Sequence, residues 1–404
     1  MGHDHEDQDD RAHGGAIASA GVPDEDIPAT KERYPGTDMT RRTFLVGLGA
    51  TGAAALLDCN RKSGQKSGHV VQRNVDATPP LPPKPTQDKQ PRPAPQPRAV
   101  AGRGHVFKAT NEHALDHRGR PARQPVERML DHLMRELVGK SSVQDCWATL
   151  FHPDDIVAIK PNAFAGQWCS PSAALMDTII ARLTAVGISP KHIFIWDHWN
   201  FSGSPLYNHL RKGPARVATQ KQWGYDRTIH RIPSGKWLKF NKLIPRVTAI
   251  VNVPVFKDHD LAGVSGAMKN LAFGSIINPA SHHPNCCSPS VPDIYNLPIL
   301  RDKVRLIVAD TFRVIYNKGP FGSKSRSYNV PYSSLFATRD PVAMDRIEWD
   351  VVDGFRKHKG LPLLMDRGHG PQNVGRPIHI LHAGHIGLGE SDLSSIKLST
   401  KVMT

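Results

Sequence analysis

Five short apolar runs separated by helical patterns constrain this chain more than any other feature. They lie at 155–160 (DIVAIK), 192–196 (HIFIW), 247–255 (VTAIVNVPV), 304–309 (VRLIVA) and 332–337 (YSSLFA). Between them, 123–137 and 173–186 repeat apolar residues at helical spacing, and Gly187 follows the second as a C-terminal stop. A third helix is expected from Pro341, with Asp340 as its cap. The run 378–381 (IHIL) reads as a last strand. Apolar strands linked by helices are covered on both faces, because neither face suits water. The pattern predicts one large α/β domain at 105–404, with a mostly parallel sheet and helices on both faces. The stretches 201–246 and 277–300, rich in Pro, Asn, Ser and aromatic residues, read as loop insertions.

Charge organises the remainder. The 404 residues carry 52 Lys and Arg against 37 Asp and Glu, a formal balance of +15. Residues 1–40 hold ten acidic and three basic side chains, 60–104 hold nine basic and two acidic, and 105–404 hold 38 basic and 24 acidic. Such an excess suits nucleic acid, an anionic envelope or a small anion. Nucleic acid is not expected, since no basic stripe with stacking aromatics and no known binding module occurs. Five Cys rule out a disulfide-built scaffold. Nine Pro between Pro79 and Pro97 mark 60–104 as a Pro-rich disordered linker. A Pro-rich docking ligand is the alternative reading of the same composition.

Residues 1–59 read as an N-terminal extension and an export signal. Thr40-Arg41-Arg42-Thr43-Phe44-Leu45 precedes a Gly/Ala-rich apolar run ending at Leu57, too short for a comfortable bilayer span. This resembles the twin-arginine translocation signal, which implies the twin-arginine translocase as partner, passage in the folded state, and a periplasmic or envelope-attached protein. Met39 is an alternative start. Ala53-Ala54-Ala55 offers a small-residue cleavage site, and Leu56-Leu57-Asp58-Cys59 resembles a lipobox with a lipid anchor at Cys59. Membrane contact is expected only through this signal or anchor.

In open α/β sheets, ligands bind beyond the carboxyl ends of the strands. Here those ends carry Lys160-Pro161-Asn162, Asp197-His198, Lys257-Asp258-His259-Asp260, Asp310-Thr311-Phe312-Arg313 and Arg339-Asp340. The segment Gly263-Val264-Ser265-Gly266-Ala267-Met268-Lys269-Asn270-Leu271 follows the third. Its glycines allow close backbone approach, a helix starting near Ser265 offers N–H groups to an anion, and Lys269 adds a cation. The expected cofactor or anion contacts are Lys269, Gly263, Ser265, Gly266, Lys160, Asn162 and Asp310. The expected acid/base groups are His259 or His198, oriented by Asp258 or Asp197. Separately, His282, His283, Cys286 and Cys287 put two imidazoles and two thiols within six residues, a donor set for a soft metal. Disulfides from Cys146 or Cys169 to that segment are the competing expectation. No Cys-x2-Cys pair is present, so a ferredoxin-type cluster is not expected.

The motifs taken together resemble an uncharacterised family, domain of unknown function 362. The matching pieces are Ile159-Lys160-Pro161-Asn162, Asp258-His259 with Gly263 to Leu271, Asn278-Pro279, Val308-Ala309-Asp310, and Thr338-Arg339-Asp340-Pro341-Val342-Ala343-Met344-Asp345. The resemblance covers about 105–400. Many such proteins carry ferredoxin-type cysteines, which this chain lacks. The Gly-Val-Ser-Gly-Ala-Met-Lys stretch is also distantly similar to the Lys segment of nickel-pincer lactate racemases, where the Lys holds the cofactor and neighbouring His act as acid and base. That likeness ranks Lys269 and His259 first. The sequence thus points to an exported enzyme acting on a small anionic ligand, with a metal or nucleotide-derived cofactor. A non-catalytic anion- or metal-binding protein is the alternative.

Overall fold

The computed structural model describes residues 78–84, 102–164, 170–319, 327–367 and 375–404. The twin-arginine segment, Cys59 and Cys169 lie outside the described residues. The main sheet holds β1 (His105–Thr110), β2 (Val157–Pro161), β3 (Ile193–Asp197), β4 (Arg216–Thr219), β7 (Ala249–Val253), β8 (Val255–His259), β9 (Gly263–Val264), β10 (Val304–Ile315), β11 (Asn329–Thr338) and β12 (Lys397–Val402). Two further strands, β5 (His230–Arg231) and β6 (Trp237–Leu238), form a small antiparallel ribbon in the first insertion.

The strand order is β12-β1-β11-β10-β7-β2-β3-β4. Neighbours from β10 through β4 run parallel, as does β12 with β1. Within this order β11 opposes the neighbours on both its sides, β1 and β10, and off it β9 runs antiparallel to β8. The expected mostly parallel α/β sheet is therefore present.

Both faces are dry. Successive residues such as Ala158 and Ile159, Phe194 and Ile195, and Ile307 and Val308 enter opposite cores, as a period of two requires. One face packs on α1 (Arg123–Val138), α2 (Val143–Leu150) and α3 (Ala173–Ala185). The other packs on α4 (Ala267–Phe273), α5 (Ser290–Tyr295), α6 (Pro341–His358) and α7 (Ile378–His385). Asp340 caps α6 as expected, accepting from Val342 and Ala343 N at 2.9 Å. Its other oxygen takes Gly104 N and Glu390 N, which ties both ends of the domain to this cap. Among the described residues no helix is long and apolar enough to cross a membrane.

Three features differ from expectation. The run 378–381 is the start of helix α7, not a strand. Its buried residues His379, Ile380 and Ala383 share one helical face, which a two-residue alternation would have split. The run 247–255 breaks at Pro254 into β7 and β8, and β8 moves on to pair with the far half of β10. Consequently Lys257, Asp258 and His259, and also Asp310 to Arg313, lie inside strands rather than in loops beyond them.

Candidate functional site

The sheet's polar residues gather into two layers. The deeper layer is a buried scaffold. Lys160 Nζ donates to Asp197 Oδ1 at 2.5 Å, to Pro161 O at 2.7 Å and to Asn270 Oδ1 at 3.0 Å. Asp197 also accepts from His198 N and Ala163 N. Asn270 donates to Asn252 Oδ1, and Asn252 to Ala267 O, which fixes α4 against β7. Lys257 Nζ, equally buried, donates to Asn162 Oδ1 at 2.7 Å. Every hydrogen of the Lys160 ammonium is thus spent inside the protein. Lys160 and Asp197 are a structural ion pair, and Asp197 does not hold the His198 ring.

Asp310 is likewise committed, accepting from Ser172 N at 2.7 Å and Phe312 N at 3.3 Å near the start of α3. Asp258 pairs with Arg367 and accepts from Gly319 N. Adjacent strand residues point to opposite faces, so Asp258 is turned away from the His259 ring. The orienting carboxylate is Asp260, with Oδ1 3.1 Å from His259 Nδ1.

The turn from β8 through β9 to α4 brings Lys269 over the end of β8. Gly266 makes that turn with φ +51°, and a Cβ there would fall on the Asp345 carboxylate. Asp345 accepts from Ala267 N and from Met268 N, the latter at 3.0 Å. The helix start expected to offer N–H groups to an anion already holds this carboxylate. Glu348, one turn along α6, accepts from Lys257 N at 2.9 Å. Burial raises both carboxyls, helped by the Asp340 charge at Asp345 and by the Asp345 charge at Glu348: Asp345 to about 7 and Glu348 well above its ordinary value.

The shallower layer is where chemistry is available. Lys269 Nζ lies 3.0 Å from His259 Nε2 and 5.1 Å from the centre of the Phe273 ring. The His283 ring stacks beside His259 with centroids 5.7 Å apart. Burial lowers the Lys269 amine to about 8. Burial and the Lys269 charge hold His259 well below its usual range, His283 at about 2 and His379 at about 3. The Lys269 amine therefore stands among three imidazoles whose protonation is disfavoured. His379, from α7, is fully buried with no hydrogen-bond partner for either nitrogen among the described residues. Sequence reading missed His379, Asp260, Asp345 and Glu348 as site residues, and placed His283 in a metal cluster instead.

The proton arrangement of the pair follows from its contacts. His259 Nδ1 faces both Asp260 Oδ1 and the Leu261 N–H, the latter at 3.0 Å. With a proton on Nδ1, the ring donates to Asp260 and Nε2 accepts from the Lys269 ammonium. With the proton on Nε2, Nδ1 accepts from Leu261 and the ring donates to a neutral Lys269 amine. The two arrangements differ by one proton over the same heavy atoms.

The metal cluster is not assembled. Among the described residues no three His, Cys, Asp or Glu are placed to hold a metal ion. His283 Nδ1 is on Pro279 O at 2.9 Å, and Cys287 Sγ lies 3.9 Å from Leu261 O. Neither Cys146 nor Cys287 is in a disulfide. These residues, as placed, do not form a metal centre.

Residues 157–350, running from β2 to the first half of α6, match the family described as Domain of unknown function (DUF362). Over that stretch the chain is similar to this family. The matched stretch includes Lys160, the β8–α4 turn with His259 and Lys269, and the Asp345–Glu348 pair. His379 and Arg367 lie beyond it. No curated protein matches the chain. Among solved structures it is similar to the lactate racemase apoprotein from Thermoanaerobacterium thermosaccharolyticum, at 14% identity and a TM-score of 0.34. That alignment covers 64% of this chain and 58% of the other, less than two thirds of its length.

Proposed function

We propose that this protein is an enzyme that binds a small anionic substrate at Lys269 and moves a proton through His259. The observation that carries the reading is the 3.0 Å contact between Lys269 Nζ and His259 Nε2, at the partly exposed mouth of an otherwise buried layer. An ammonium there attracts an anion. A substrate anion that takes over the Lys269 hydrogen bonds leaves His259 Nε2 as a neutral base, and Asp260 stabilises the imidazolium formed at Nδ1. His283 and His379 stay uncharged and keep the surroundings from competing for the anion.

The test combines labelling with turnover. Amine-directed labelling of Lys269, followed by peptide mapping, is expected to show a midpoint at about pH 8, and small carboxylates or phosphate should protect it. On any substrate found in that screen, His259→Ala should reduce turnover by roughly 10²–10⁴-fold while anion protection of Lys269 persists. Lys269→Ala should remove anion binding itself. Anion protection without turnover of any protecting class would instead favour the non-catalytic binding protein. A Lys269 midpoint near 10.5, with no protection, would sink both readings.

The second part of the proposal is export by the twin-arginine route, motivated by Thr40-Arg41-Arg42-Thr43-Phe44-Leu45 ahead of a short apolar run. Replacing Arg41 and Arg42 together by Lys should leave the protein in the cytoplasmic fraction. Undiminished export of that variant would refute the assignment.

A further inference from the structure

Seven residues of the Pro-rich stretch lie on the domain. Thr78-Pro79-Pro80-Leu81-Pro82-Pro83-Lys84 meets the region around β4, the strand at one edge of the sheet. Trp223 Nε1 donates to Pro79 O at 2.8 Å, and Arg216 donates to Pro80 O at 3.0 Å. Lys84 Nζ lies 3.7 Å from Asp226 Oδ2. Leu81 packs against the core on the α4–α7 side of the sheet, and Pro82 is buried.

The exposure pattern is that of a three-residue repeat. Pro80 and Pro83 are exposed, whereas Pro79 and Pro82 turn inward. A polyproline II segment has three residues per turn, so positions three apart share a face. Proline offers a carbonyl but no N–H, so the four prolines of the segment can only accept hydrogen bonds. To Pro79 O and Pro80 O the groove offers two donors, an indole N–H and a guanidinium. Both are held by aromatic packing: Trp223 sits edge-on to Phe194, and Arg216 lies over the same Phe194 ring at 5.5 Å. At the far end an acid meets the single Lys of the segment.

We infer that the Trp223–Arg216–Asp226 surface is a polyproline-recognition groove whose occupant is the chain's own segment 78–84, which latches the Pro-rich stretch to the domain. The shape, donor set and charge all select this ligand class. The latch stands apart from the Lys269 site and does not depend on its chemistry.

The test uses the full chain with the latch opened by Leu81→Glu and Pro82→Glu together. A fluorescent peptide of sequence TPPLPPK is titrated against it and read by anisotropy. A tethered ligand is present at an effective concentration on the order of millimolar. The opened chain should therefore bind the peptide roughly tenfold more tightly than the wild type, whose groove is filled in cis. Adding Trp223→Phe to the opened chain removes one donor and should weaken binding by roughly three- to tenfold. The milder Leu81→Ala chain should fall between wild type and the double variant, which keeps the comparison available if the charged variant folds poorly. Equal binding to wild type and both opened chains, or binding to neither opened chain, overturns the latch.

Discussion

Asp197→Ala is expected to destabilise the domain by about 3–5 kcal/mol. Lys160 is 1% exposed and keeps its charge through this one carboxylate at 2.5 Å. Burial already lowers its amine, and the Asp197 charge opposes that effect. Without the carboxylate the ammonium retains only Pro161 O and Asn270 Oδ1, while His198 N and Ala163 N lose their acceptor. Set against a typical total of about 5–15 kcal/mol, the loss is a large fraction of the whole. The sign of its pH dependence is fixed. The folded-state amine then titrates far below the unfolded value of 10.5, so the unfolded chain binds more protons between the two values. Stability of the variant should therefore rise with pH across that window. Lys160→Met in the same background should recover much of the loss, since an apolar side chain of similar length replaces the pair at little cost. Urea denaturation of the three proteins measures all of this. A loss below about 1 kcal/mol for Asp197→Ala would contradict the buried pair.

Gly266→Ala is the second large effect. The residue has φ +51°, where a Cβ costs about 1–2 kcal/mol. It would also fall on the Asp345 carboxylate, adding about 1–3 kcal/mol of overpacking. Forcing Asp345 off the Ala267 and Met268 N–H groups frees the start of α4, and α4 carries Lys269. The labelling midpoint of Lys269 should then move up from about 8 toward 10.5 as the amine gains water. Gly360→Ala provides the internal control, because its φ is +64° but nothing lies within 4 Å of the added carbon. It should pay the backbone term alone and leave the Lys269 midpoint unchanged. Equal losses for the two substitutions would show that Asp345 does not hold the turn.

The parts of this fold that are legible in sequence are those whose burial leaves a pattern. Strands β2, β3, β7, β10 and β11 are covered on both faces or nearly so, and their apolar runs announce them. Helices α1, α3 and α6 carry apolar stripes and, for α6, a visible cap. Strand β12 (KLSTKV) is exposed along almost its whole length, so no hydrophobic signal marks it. Strand β4 is only four residues long. The run IHIL alternates as a strand would, and only packing against α5 and α6 decides that it is helical.

The site divides the same way. Lys269 and His259 stand out because a glycine-flanked Lys follows a strand bearing a His. The scaffold roles of Lys160, Asp197, Asp258 and Asp310 were hidden, because a charged residue at a strand end looks alike whether it faces a ligand or a buried partner. His379, Asp345 and Glu348 arrive from helices about 75 to 120 residues further along the chain. Their convergence depends on the folding of α6 and α7 over one face of the sheet, which no local pattern encodes.

The position of β1 has a consequence for how the chain is made. It is the first strand of the domain, yet its two neighbours are the last two, β11 and β12. During synthesis at roughly 5–20 residues per second, Thr110 emerges roughly 15–60 s before Val402. Both edges of β1 stay open until β11 emerges, and the edge that β12 takes stays open until Val402 follows. The strand that takes this edge carries Lys397 and Lys401, charges that hinder pairing with a foreign edge. This edge of the sheet thus waits for residues 397–402 and is entrusted to a segment that resists misassembly with a neighbouring chain.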